Sequence, residues 1–94
     1  MPKFTKRPVV IEAVQAQHLL IQAAQAWHDL PIWIREAYEE GNIVFGRHTI
    51  NIQTLEGRMV AEKTDWVIRG VKGEIYPCKP DIFAMTYDPV QGLS

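Results

Sequence analysis

At Gly41 the hydrophobic period of this 94-residue chain changes from helical to alternating, and that switch constrains the fold more than any other feature. Upstream, Leu19, Leu20, Ala23, Ala24 and Trp27 recur at the spacing of one helical stripe, with Gln17, Gln22 and Gln25 on the wet side. Trp33, Ile34, Ala37 and Tyr38 form the stripe of a second helix, with Asp29 as its expected cap and Pro31 near its start. A glycine at 41 suits the left-handed turn that ends such a helix. Downstream, Ile50 and Ile52 alternate with Asn51 and Gln53, which is the period of a strand with one buried face.

The opening segment 8–16, "PVVIEAVQA", is β-branched at its start and reads as a first strand. After the helices, "NIVFG", "TINIQTL", "RMVAEK", "DWVIRG" and "EIYPCKP" read as short strands, with turns at Glu56-Gly57 and Lys72-Gly73. Pro80 and Asp81 start one helical turn, "PDIFAM", before "TYDPV" continues as an extended tail. The expected architecture is α+β, a small antiparallel sheet with two helices packed on one face. The sheet is a meander, open or curled into an open barrel. A chain this short buries only about 60–65% of its unfolded surface, so a single domain over 1–94 is expected, with a homo-oligomer as a natural source of further burial.

Composition removes several functions. A formal net charge of −1 offers no field to hold duplex nucleic acid, which needs several Lys or Arg on one face. Cys78 is the only cysteine, so no intrachain disulfide can form, and the reducing cytoplasm is the expected compartment. The N-terminal apolar run is short and broken by Glu12, so neither an export leader nor a membrane span is expected there.

Four constellations could carry chemistry. His18, His28 and His48 are dispersed and lack the spacing of a zinc site, and no cofactor is expected. Cys78, between Pro77 and Lys79, has a cation nearby that could activate a thiol, but no helix N-terminus or glycine-flanked elbow follows it. The only serine is Ser94, which leaves no serine triad. Asp65 and Glu74 flank a strand pair holding Trp66, Arg69 and Tyr76; they suit acid–base work, or alternatively a turn and a cross-strand ion pair. The fourth is a mixed surface. Arg58, Lys63, Arg69, Lys72 and Lys79 are half of the ten Lys and Arg residues, interleaved with Trp66, Tyr76 and Phe83, a combination suited to phosphate oxygens and a stacked base.

Three stretches together resemble a family. "KFTKRPVVIEAVQ" at 3–15, "IQTLEGRMVA" at 52–61 and "DWVIRGVKGEIYPCKPDIFAMTYDPV" at 65–90 are similar to a widespread group of small phage and prophage proteins. Members read "RKPVVIEA", then TLEGxMxA, then GDWIIRGxxGExYPCKPDIFxxTYE. Thr64 departs from the pattern, where glycine usually precedes the Asp-Trp pair. The resemblance implies an accessory protein acting inside an infected bacterium, and it carries no established catalytic residues. Accessory proteins of this size commonly disarm host defence by binding a host protein or by sequestering a nucleotide-derived immune signal.

The leading expectation is therefore a non-enzymatic protein that captures a small anionic ligand, such as a cyclic or ADP-ribose-type nucleotide, as a homo-oligomer. Arg69, Lys72 and Lys79 are expected to hold phosphates, Trp66 and Tyr76 to stack on a base, and Asp65 or Glu74 to accept from base or ribose donors. The alternative is an inhibitor or adaptor that binds a host protein through Trp27, Trp33 and Tyr38. A nucleotide-degrading enzyme using Asp65, Glu74 or a histidine is a third reading, for which dispersed titratable groups name no mechanism.

Overall fold

A computed structural model describes residues 1–5 and 8–90. The first strand, β1 (Glu12–Gln15), runs without a loop into helix α1 (Ala16–Gln25), followed by a 3-10 turn at Trp27–Asp29 and helix α2 (Ile32–Glu39). Strands β2 (Ile43–Phe45), β3 (Thr49–Thr54) and β4 (Gly57–Glu62) come next, then β5 (Trp66–Arg69), β6 (Ile75–Cys78) and helix α3 (Pro80–Thr86). All pairings are antiparallel. The class is α+β, with strands divided between two three-stranded sheets, β1-β5-β6 and β2-β3-β4, that do not close into a barrel.

The division follows from where β1 finds its partner. Glu12 to Gln15 pair with Arg69 to Trp66, so the first strand joins a hairpin formed some fifty residues later, beside β5. Strands β2, β3 and β4 remain a local meander, with Ile43 opposite Ile52 and Ile52 opposite Met59. Strand β6 lies against β3 and β4, and the two sheets meet there. Helices α1 and α2 cover the shared inner face. Leu19, Ile34, Ile43, Ile50, Ile52 and Val67 are buried there, with Leu30 and Ala37 beside them.

Two local expectations are corrected. The first strand does not extend over 8–16, because β5 ends at Arg69 opposite Glu12 and leaves the preceding backbone no partner; Val9 and Val10 are exposed. The first helix ends at Gln25, where Ala26 leaves helical geometry, and Asp29 lies in the 3-10 turn without capping α2. Pro31 occupies the cap position, and its carbonyl accepts the amides of Ile34 and Arg35. Gly41 (φ 80°) closes α2 and Gly57 (φ 109°) turns β3 into β4, in conformations that side chains rarely adopt.

Ile50 sits at the centre of this packing, fully buried between Phe45 and Ala61 on neighbouring strands. Replacing it with alanine should destabilise the fold by about 2–5 kcal/mol. Val44 is exposed on the outer face of the same sheet, so its alanine variant should change stability by less than about 0.5 kcal/mol. Urea titration of both variants checks the assignment, and equal midpoints would reverse it.

Candidate ligand-binding groove

Strand alternation decides which of the expected site residues can meet. In the β5–β6 pair, Val67 with Pro77 and Arg69 with Ile75 share the face that looks toward the core. Trp66 with Cys78 and Ile68 with Tyr76 share the opposite face, which α3 covers. Trp66 stacks on Phe83 with ring centroids 4.2 Å apart and planes 7° from parallel. Tyr76 turns its hydroxyl to Tyr87, 3.4 Å away. Burial, reinforced by that contact, pushes the Tyr76 phenol well above its usual range.

On the inner side, the seam between the sheets opens into a groove of about 670 Å³. That volume falls within the roughly 300–1,000 Å³ typical of small-molecule sites. Trp33, Glu36 and Ala37 of α2 with Glu40 at its C-terminal cap form one wall, and Thr54 to Glu56 of the β3–β4 turn close one end. Arg69, Gly73, Glu74 and Ile75 form the other wall, bordered by Tyr76 and Pro77. Three of the seven expected residues, Arg69, Glu74 and Tyr76, therefore reach the groove. Trp33 supplies an aromatic surface that the interleaved run from 58 to 83 gave no reason to include.

Among the described residues Arg69 is held by a single ion pair, with Glu12 at 3.4 Å, both side chains being substantially exposed. Such pairs contribute at most about 1 kcal/mol, so an incoming anion can recruit the guanidinium at small cost. Glu74 is less free. One of its oxygens accepts the Lys72 amide at 3.0 Å, and its carboxylate lies over Gly70, where any Cβ would collide with it. Gly70 thus keeps room for the side chain that ties its own turn. The expected cross-strand ion pair of Glu74 is replaced by this backbone bond.

Asp65 and Lys79 lie outside the groove and bind each other. Asp65 is only 2% exposed, with Oδ2 accepting the Glu62 amide at 2.9 Å and the Lys79 ammonium at 3.1 Å. Lys79 also reaches Glu62 at 3.4 Å. The hydrogen bond it donates to Asp65 raises the Lys79 ammonium above its ordinary 10.5; desolvation opposes the rise in part, and Glu62 adds to it. Trp66 lies in a second, smaller and mostly apolar hollow with Val10, Phe83, Tyr87 and Val90.

Cys78 is turned toward α3. Burial, with the nearby Asp65 and Asp81 carboxylates, pushes its thiol above the ordinary 9.0, the reverse of activation by Lys79. No three His, Cys, Asp or Glu side chains converge as a metal-binding group among the described residues. No helix of the described residues is long and apolar enough to cross a membrane.

The fold and groove define a small α+β domain with a mixed-charge cleft at the seam of two sheets. The chain matches no family model, no curated protein and no solved structure.

Two measurements follow from these contacts. Because the raised group is a base, the stabilisation from Lys79 is complete below pH 10.5 and is lost as pH climbs through its folded-state value. The Tm difference between the protein and Lys79→Met should accordingly stay constant from pH 6 to about 10 and shrink above that. A difference that vanishes near neutrality contradicts the pair. Separately, Cys78 should react with iodoacetamide at pH 7.5 more slowly than free cysteine, and a faster reaction would show an activated thiol.

Proposed function

We propose that this is a phage-encoded accessory protein that captures a small nucleotide-type ligand and releases it unaltered, so depleting a signal of host defence. The groove carries the proposal. It is of small-molecule size and sets an aromatic ring, Trp33, and a readily released guanidinium, Arg69, within one cleft. The phage origin rests on the residue resemblance. Capture without turnover is supported by what lies elsewhere: burial and nearby carboxylates push the Cys78 thiol up on the far face, the reverse of activation, and Asp65 Oδ2 is engaged by Lys79 and the Glu62 amide. A second copy placed across the open side of the groove would complete the enclosure of a ligand that one short chain only partly surrounds.

In this reading Arg69 receives the anionic group and Trp33 stacks on the base. Lys72 belongs to the turn beside Gly73 and is not part of the groove lining; its amide ties Glu74. Lys79 and Trp66 support the fold instead. A host-protein inhibitor remains the second reading, and α3 is the element that favours it, with Ile82 and Met85 exposed at 53% and 87%. Trp27 and Trp33, by contrast, pack against the core.

Thermal unfolding with mononucleotides, cyclic dinucleotides and ADP-ribose isomers tests capture. A ligand at 100 times its Kd stabilises the fold by about 2.7 kcal/mol. Mass spectrometry of the released ligand should return it unchanged. Arg69→Ala and Trp33→Ala should each weaken binding by about tenfold or more, as expected for losing a charged contact or a stacked base. Trp66→Ala should leave it unaltered. A new product mass would make the protein an enzyme, and a panel without any shift, joined by stoichiometric recovery of one host protein, would favour the inhibitor.

A further inference from the structure

The charges in the groove are segregated. Glu36 on α2 and Glu40 at its C-terminal cap stand one turn apart, and Glu56 projects from the β3–β4 turn. Among the described residues none of the three takes part in an ion pair. Across from them Arg69 is, among the described residues, the only Lys or Arg lining the cleft. Glu74, the remaining carboxylate, is bound to its own turn through the Lys72 amide. The cleft therefore has one anion-accepting point, set against two carboxylates on the α2 wall and one at the closed end that have no ion-pair partner among the described residues.

Carboxylates accept hydrogen bonds and repel anions. A ligand with one phosphate can place it on Arg69 and turn ribose hydroxyls and exocyclic amines toward Glu36, Glu40 and Glu56. A second phosphate finds no second cation in the lining and must approach those carboxylates. Like-charge juxtaposition of this kind is an effective means of rejecting a wrong ligand.

Resting on the capture reading above, we propose that the groove selects ligands bearing a single anionic group and a donor-rich body, the class of nucleoside monophosphates, and discriminates against those with two or more phosphates. The three carboxylates set the discrimination and Arg69 sets the affinity for the one phosphate. Selectivity is electrostatic, so it weakens as salt rises.

Calorimetric titration of the full chain with adenosine, adenosine monophosphate, guanosine monophosphate, ADP-ribose and cyclic di-AMP tests the proposal at low and at physiological salt. At least one monophosphate should bind more tightly than adenosine, and about tenfold more tightly than ADP-ribose or cyclic di-AMP. Glu36→Gln combined with Glu40→Gln and Glu56→Gln should close most of that gap by improving the doubly charged ligands. Arg69→Gln should remove the advantage of the monophosphate over adenosine. Circular dichroism and Tm of the triple variant establish that it is folded. Tight binding of ADP-ribose or cyclic di-AMP to the unmodified protein, equal to or better than a monophosphate, overturns the selectivity and leaves capture standing. Absence of binding by every member overturns capture itself, and the selectivity with it.

Discussion

The turn that carries Asp65 is where the separate parts of this molecule are joined. Its carboxylate accepts the Glu62 amide at the end of β4, and its own amide donates to the Glu62 carbonyl. Its carbonyl receives the first amide of α1 at 2.9 Å, and the carbonyl of Lys63 receives the next at 3.0 Å. Helix α1 lacks a side-chain cap, so these carbonyls satisfy amides that a helix start otherwise leaves to water. Lys79, immediately before α3, then closes on the same carboxylate. One residue thereby fixes the end of one sheet, the start of the other, and the starts of two helices. An unpaired carboxylate in so dry a position would be costly, which is why Lys79 serves the fold and is a poor choice for holding a ligand.

That arrangement also accounts for the groove. Because β1 leads straight into α1 and is anchored to β5, the long connection through both helices must return over the inner face before β2 begins. Helix α2 consequently runs beside the β5–β6 hairpin without pairing to it, and the space between them is only partly filled. Its walls come from residues 33–42, 53–59 and 69–77, segments with no sequence adjacency. A cleft assembled in this way has no short motif.

The readability of the sequence tracks the range of the physics involved. The change of period at Gly41, the turns at Gly57 and Gly73 and the helical start at Pro80 are local preferences, and each appears where local rules place it. Pairing of β1 with β5 depends on contacts across more than fifty residues, which periodicity does not encode. For the site, residue types were legible, and what each strand face would meet was not. Asp65, Trp66, Arg69, Lys72, Glu74, Tyr76 and Lys79 look like one surface when read along the chain. Odd and even positions of a strand point to opposite faces, so Arg69 parts from Trp66, while Tyr76 sends its hydroxyl to Tyr87 and only borders the groove. For residues 66–69 the parity of the numbering alone is enough to separate Trp66 from Arg69.

Trp33 marks the limit of such reasoning. On α2 it belongs to the apolar stripe with Ile34, Ala37 and Tyr38, and its partial burial against the core agrees with that role. The same ring also lines the groove, because α2 is an outer helix with one flank on the core and the other on the seam. Glu36 and Glu40 follow it onto that flank, where they resemble the ordinary wet side of a helix until the opposite wall is known. Their chemistry is set by what faces them across the cleft. Among the described residues, a single guanidinium held by one weak ion pair, set against carboxylates that have no other partner, makes this surface selective where a helix face alone would be merely solvated.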